Sequence, residues 1–155
     1  MLIVCDIDLT IADGRDRFKG LGEAPPTKNR RALQLWLDKL QPEDKLVEDL
    51  PIQPVIDILI SLSKRPNYKL VYLTGRSEKY RPATMRWLKQ ANCPKAPLLM
   101  RPHNDWRTPK NCKMEMMKKL SSQYGNEIMI LDDDGAGDCS KAYTKAGWLH
   151  LKVIL

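Results

Sequence analysis

The sequence predicts an α/β fold, with a mostly parallel five-stranded sheet flanked by helices on both faces. Two observations carry that prediction. Short continuous apolar runs end abruptly in polar clusters, which is how buried parallel strands read when their C-terminal ends reach a site. Between the runs lie stretches with apolar residues at helical spacing, so strands and helices alternate.

The first strand is Leu2-Ile3-Val4-Cys5, stopping at Asp6. Leu70-Val71-Tyr72-Leu73 stops at Thr74-Gly75-Arg76, and Ile128-Met129-Ile130-Leu131 stops at Asp132-Asp133-Asp134. Trp148 to Ile154 reads as the last strand, and Leu98-Leu99-Met100 as a weaker one. Helices are expected over Pro54 to Lys64 (Val55, Ile58, Leu59, Leu62), Glu78 to Gln90, Lys113 to Gln123 and Cys139 to Ala146. Gly147 then stands where a helix C-cap glycine belongs. Residues 14 to 50 are too long for a simple crossover. They contain a Gly/Pro-rich piece and an amphipathic stretch, Asn29 to Leu40, and read as a small cap inserted after strand one.

With 155 residues the chain has the size of one domain. No apolar run approaches the roughly 20 residues that span a bilayer, so no membrane association is expected. Asp6 and Asp8 interrupt the region where a secretory signal would lie, which makes a cytoplasmic protein the expectation. Cys5, Cys93, Cys112 and Cys139 form no C-x-x-C pair and read as reduced thiols. The net charge is +7, and the stretch from Arg76 to Lys119 alone holds twelve Lys/Arg against three acids. That surplus fits either a solvated basic face or a footprint for a polyanion.

In open α/β sheets, ligands bind outside the carboxyl ends of the strands. The polar groups at these ends form a chemical set. In Asp6-x-Asp8 the two carboxylates leave the strand on the same side. One can attack phosphorus while the other handles the proton of the leaving oxygen. Thr74 can donate to phosphate oxygens. Asp132 and Asp133 supply the oxygen ligands that Mg²⁺ prefers, and the ion would cancel repulsion between carboxylates and a phosphate. Lys113 is the lysine best placed to screen the nucleophile.

Asp6-Ile7-Asp8-Leu9-Thr10, Leu73-Thr74-Gly75-Arg76, Lys113 and Leu131-Asp132-Asp133, in that order, resemble the four motifs of the haloacid dehalogenase (HAD) phosphatases. A narrower resemblance is to the 3′-phosphatase domain of bacteriophage-type polynucleotide kinase. Thr74 to Arg81 with Trp87-Leu88, and Leu98 to Pro102 with Asp105, Arg107 and Lys113, carry it. The resemblance implies a Rossmann-like HAD fold and Mg²⁺-dependent phosphomonoester hydrolysis through an aspartyl phosphate. It makes Asp6 the nucleophile and Asp8 the general acid/base. Thr74, Arg76 and Lys113 complete the catalytic set, with Asp105 and Arg107 toward the substrate. Asp6, Asp8, Asp132 and Asp133 would hold the metal. The pattern also includes a substrate-binding arginine after the first motif, whose offset from Asp6 points to Arg17, with Arg15 the alternative.

Two departures stand out. Leu9 replaces a customary glycine, so its backbone must keep φ negative or accept strain. The acidic triplet is followed by Gly135-Ala136-Gly137, which leaves its register open by one residue. No glycine is followed by lysine, so a Walker A loop and phosphate transfer from ATP are not expected. The implied substrate is a nucleic-acid 3′-phosphate end. Nucleotides or other small phosphate esters are the competing class, and a non-catalytic binder of nucleic-acid ends is the non-enzyme alternative.

Overall fold

The computed structural model describes residues 1–26, 28–135 and 139–155. In chain order the strands are β1 (Leu2–Cys5), β2 (Ala12–Asp13), β3 (Leu50–Pro51), β4 (Lys69–Ser77), β5 (Leu98–Arg101), β6 (Ile128–Asp132) and β7 (Leu149–Lys152). The helices are α1 (Arg15–Phe18), α2 (Arg30–Leu40), α3 (Glu43–Leu46), α4 (Gln53–Ser63), α5 (Arg81–Gln90), α6 (Pro109–Tyr124) and α7 (Cys139–Lys145). Five strands form one sheet in the order β5-β4-β1-β6-β7, and every pairing in it is parallel. The order reverses on either side of β1, so the tips of β1, β4 and β6 sit side by side at a topological switch point.

Both faces of this sheet are covered, and the pleat decides which side chain goes where. Ile3, Cys5, Tyr72, Met129 and Leu131 point to one side, where Ile56 and Leu59 of α4 and Trp87 and Leu88 of α5 meet them. Leu2, Val4, Val71, Leu73, Ile128 and Ile130 point to the other, against Met117 and Leu120 of α6 and Cys139 and Tyr143 of α7. Gly147 adopts φ +78 after α7 and turns the chain into β7, in keeping with its capping role.

Residues between β2 and β3 form α1 to α3. The antiparallel pairing of Ala12 with Pro51 and Asp13 with Leu50 ties the two ends of this segment together. Leu46 of α3 buries against Tyr80 and Ala83, which holds the segment's far side against α5.

Three local readings change. The helix expected from Lys113 begins at Pro109, with the Thr108 hydroxyl accepting from the Asn111 amide at 3.3 Å. Proline in the first helical turn loses no hydrogen bond, and that was the missed signal. Strand β4 runs on through Thr74 to Ser77 by way of a bulge opposite β5. In α4 the core face is Ile56 and Leu59, while Val55, Ile58 and Leu62 line an open apolar hollow beside Leu149 and Leu151.

That last division is measurable. Leu59 is 0% exposed and Ile58 is 51% exposed on the same helix. Leu59→Ala should lower the unfolding free energy by about 3 kcal/mol, whereas Ile58→Ala should change it by no more than about 0.5 kcal/mol. Urea denaturation of the two variants checks this.

Candidate active site

Asp6 sits one residue past β1, its amide donating to the Leu131 carbonyl at 2.9 Å, so the β1–β6 ladder fixes its position. The Lys113 ammonium, one turn into α6, donates to Asp6 Oδ2 and to Asp132 Oδ2, each at 2.7 Å. Asp132 also accepts from the Tyr143 hydroxyl at 3.3 Å and the Asp134 amide at 2.7 Å. Asp133 is placed by its backbone, whose amide donates to Thr10 Oγ1 at 3.0 Å. A Cβ at residue 135 would come within 2.8 Å of Asp133 Oδ2, so Gly135 leaves that carboxylate room in its present position. Asp6, Asp132 and Asp133 each offer an oxygen within 4.8 Å of the others.

The register of the acidic triplet follows from its third member. Asp134 adopts φ +51 and turns its carboxylate to the Cys139 and Ser140 amides at the start of α7. It is therefore occupied in capping, while Asp132 and Asp133 face Asp6. Of the spacer that left this register open, Ala136 and Gly137 lie outside the described residues.

The cluster is short of positive charge. With all three carboxylates ionised, the single ammonium of Lys113 leaves two negative charges uncompensated. Burial pushes the Asp6 carboxyl up to about 7, with Lys113 opposing the rise and Asp132 adding to it. Burial, then Asp132, pushes Asp133 up to about 6. Burial alone would lower the Lys113 ammonium, but Asp6 and Asp132 outweigh it and hold the group well above its ordinary value. Asp6 Oδ1 is buried with no hydrogen-bond partner. An orphaned carboxylate oxygen beside two further carboxylates is a donor set that suits a hard divalent cation.

Next to this cluster lies a second charged unit. Arg76 is fully buried and donates to Asp8 through Nε at 3.0 Å and Nη2 at 2.8 Å, and to Asp49 at 2.8 Å. Arg17 donates to Asp8 at 2.5 Å, to both Asp49 oxygens at 2.7 and 2.9 Å, and to the Leu40 carbonyl. Two guanidiniums and two carboxylates thus close a ring with no net charge. Burial works to raise Asp8, but Arg76 and Arg17 together hold it well below the usual carboxylate range.

Local backbone makes this ring possible. The β4 bulge between Thr74 and Ser77 re-aims Arg76, the usual effect of an extra residue in a strand. Gly14 leaves room for the Arg17 guanidinium, which a Cβ there would strike. The loop from Asp6 to Ala12 folds over the Ile7 carbonyl, which accepts from the amides of Thr10, Ile11 and Ala12. Leu9 takes φ +57 in that loop, so the strained alternative expected for a non-glycine residue is the one adopted.

The structure therefore brings Asp6, Lys113, Asp132 and Asp133 into one cluster and Asp8, Arg17 and Arg76 into its neighbour. Thr74 is buried between β1 and β5, its hydroxyl accepting from the Arg76 amide at 3.1 Å. Arg15 turns outward to Asp13 instead. Asp105 and Arg107 pair with each other, and Arg107 also pairs with Glu115, rather than with a member of either cluster. Asp49 was missed by sequence reasoning. It belongs to no motif, and its only signal was indirect, since two arginines near Asp8 call for a second anion.

The raised carboxyls have a consequence for stability. A folded-state value above the unfolded one gives stability that is full below about pH 4 and lost as pH rises toward 6 for Asp133 and 7 for Asp6. In chelator, Asp133→Asn should leave the melting temperature nearly unchanged at pH 4 and raise it by about 3–6 °C at pH 8. Thermal melts across that range check the sign.

Comparison with known proteins supports the same reading of the fold. Solved structures that share it include three. Two are chains from the Pnkp1/Rnl/Hen1 complex and the Pnkp1/Rnl/Hen1 RNA repair complex. Each is 24% identical with a TM-score of 0.69, and covers 98% of this chain against 45% and 42% of its own. The third is the class C acid phosphatase from Bacillus anthracis with tungstate bound, 20% identical, TM-score 0.57, covering 98% of this chain and 66% of that one. The chain thus spans less than half the length of the Pnkp1/Rnl/Hen1 chains it matches. No curated protein matches the sequence significantly. The family model described as polynucleotide kinase PNKP phosphatase domain matches residues 39–136, from the end of α2 past the acidic triplet. With that span, more than half of the sequence, the chain belongs to the family described as polynucleotide kinase PNKP phosphatase domain.

Proposed function

We propose that the protein is a Mg²⁺-dependent polynucleotide 3′-phosphatase working through an aspartyl phosphate on Asp6. The observation that carries this reading is the state of the Asp6 carboxylate. One oxygen is held by Lys113 and the other is buried and unpartnered, and the same carboxylate clusters with those of Asp132 and Asp133, one oxygen of each lying within 4.8 Å of the others. A carboxylate fixed at one end and bare at the other is prepared to act as nucleophile. Asp6, Asp132 and Asp133 would hold the ion, which supplies charge neutralisation for the approaching phosphate and polarises the phosphoryl group.

In the first half, an Asp6 oxygen bonds to phosphorus as the ester oxygen leaves with a proton from Asp8. In the second half, water attacks the same phosphorus and gives its proton to Asp8, freeing inorganic phosphate and the Asp6 carboxylate. Arg17 and Arg76 favour the anionic Asp8 that this second half needs. The protonated form gains ground when an incoming phosphate dianion shares those guanidiniums. Arg76 Nη1 is buried without a partner, so it can donate to a phosphate oxygen without giving up Asp49. Thr74, three residues before the end of β4, accepts from the Arg76 amide through its hydroxyl and so helps hold that arginine's backbone. Asp49 is a positioning residue, because it holds both arginines from the side away from the substrate. The segment 14–50 acts as the cap of a single catalytic domain spanning 1–155.

Phosphate release from a 3′-phosphorylated oligonucleotide, its 5′-phosphorylated isomer and free nucleotides tests the reading. The 3′-end should be hydrolysed by far the fastest, only with Mg²⁺, and Asp6→Asn should lower kcat by about a thousand-fold or more. Asp49→Asn should lower kcat/KM by about ten- to a hundred-fold while Asp6 still accepts the phosphoryl group. Preference for free nucleotides over the 3′-end would overturn the substrate assignment.

A further inference from the structure

Beside the charged clusters, and on the same end of the sheet, two hollows merge into one groove. The larger, about 920 Å³, runs between α2 and the loop after β5, and is lined by Arg30, Arg31, Leu35, Lys79, His103 and Trp106. The second continues along that loop past Lys28 and Arg107, sharing Arg30, His103 and Trp106 with the first.

The groove's charges are not balanced. Lys79 pairs with Asp38, and Arg107 with Asp105. Lys28, Arg30 and Arg31 make no ion pair among the described residues, so three cations face the groove uncommitted. The loop that forms its other wall is shaped by Asn104 at φ +66 and by the Asp105 amide, which donates to the Pro102 carbonyl at 3.1 Å. That turn presents Trp106, half-buried, to the hollow.

Position links the groove to the site. Ser77, one residue beyond Arg76, pairs with Arg101, and the groove loop begins at the next residue. It therefore lies beyond the tips of β4 and β5, one and two strands from β1, or roughly 5–10 Å across the sheet. That is the scale on which phosphates follow one another along an extended strand.

We infer that this groove binds the single-stranded nucleotides immediately upstream of the terminal phosphate, with Trp106 stacking on a base and Lys28, Arg30 and Arg31 on the backbone phosphates. The inference rests on the 3′-phosphatase reading and adds where the polynucleotide lies. An indole offers its face only to an unpaired base, and such stacking tolerates any sequence. Three uncommitted cations give the salt sensitivity of a short polyanion, a log–log slope of about −2 for a single strand.

Fluorescence anisotropy of a 5′-fluorescein single-stranded hexanucleotide ending in a 3′-phosphate tests it. The proteins compared are the wild type, Trp106→Ala, Arg30→Ala/Arg31→Ala, and a charge-matched control, Lys64→Ala/Arg65→Ala. The control pair is exposed at the opposite end of the sheet, where Arg65 lies near Met1 and Glu127. Each groove variant should weaken binding by about ten-fold, with an unchanged melting temperature. The double variant should also flatten the salt slope by about 1, and the control should match the wild type. Unchanged binding by the groove variants, or an equal loss in the control, would overturn the inference even if 3′-phosphate is released. Groove-dependent binding without hydrolysis of the 3′-phosphate would uphold the groove and overturn the 3′-phosphatase reading. Tighter binding of duplex than of single strand would also overturn the inference.

Discussion

The structure depends on one bridge, the Lys113 ammonium held 2.7 Å from both Asp6 and Asp132. A parallel sheet buried on both faces brings the tips of β1 and β6 together, and each tip here ends in a carboxylate. Bare carboxylates that close and that buried would repel each other and lose their hydration. Lysine from the neighbouring helix makes the arrangement tolerable without neutralising it. The deficit that remains is the functional feature, because it gives a divalent ion and a phosphate a reason to enter together.

The second unit shows the opposite design. Arg17, Asp8, Arg76 and Asp49 balance one another, so the ring can be buried without an ion. Its members come from three separate parts of the chain. Arg17 and Asp49 flank the segment between β2 and β3, Arg76 follows the β4 bulge, and Asp8 leaves β1. The ring therefore fastens that segment to the sheet and sets the orientation of the arginines at once. Trp87 of α5 reinforces it by donating to the Asp49 carbonyl at 2.8 Å. Next to an electrostatically unsatisfied cluster, a satisfied ring provides rigid walls for a site whose centre is under tension.

Much of this was legible in the residues. Apolar runs that stop at Asp6 and Asp132 could be read as strand tips, because a buried strand carries polar groups most readily where it leaves the core, whereas β4 continues past Thr74 to Ser77. Asp49 could not be read that way, since its role comes from three-dimensional closure of a long segment rather than from a local motif. The bulge that re-aims Arg76 was equally hidden, being a register shift between two strands. Charge counting along the chain did not locate the cations of the groove either. In the stretch from Arg76 to Lys119, Arg76 and Lys113 serve the two clusters, and Arg81, Arg107 and Lys119 are paired with Glu78, Asp105 and Glu115. The uncommitted cations of the groove come from Lys28, Arg30 and Arg31, outside that stretch. Linear charge density says nothing about which cations already have partners.

The central claim is that buried carboxylates from two strand tips are short of one divalent ion. Calorimetric titration of the protein with Mg²⁺ near neutral pH, in two buffers of different ionisation enthalpy, tests it most directly. The account predicts one ion per chain, bound with release of protons from the raised carboxyls, and no such binding in Asp132→Asn. Binding without proton release, or equal binding by the variant, would contradict it.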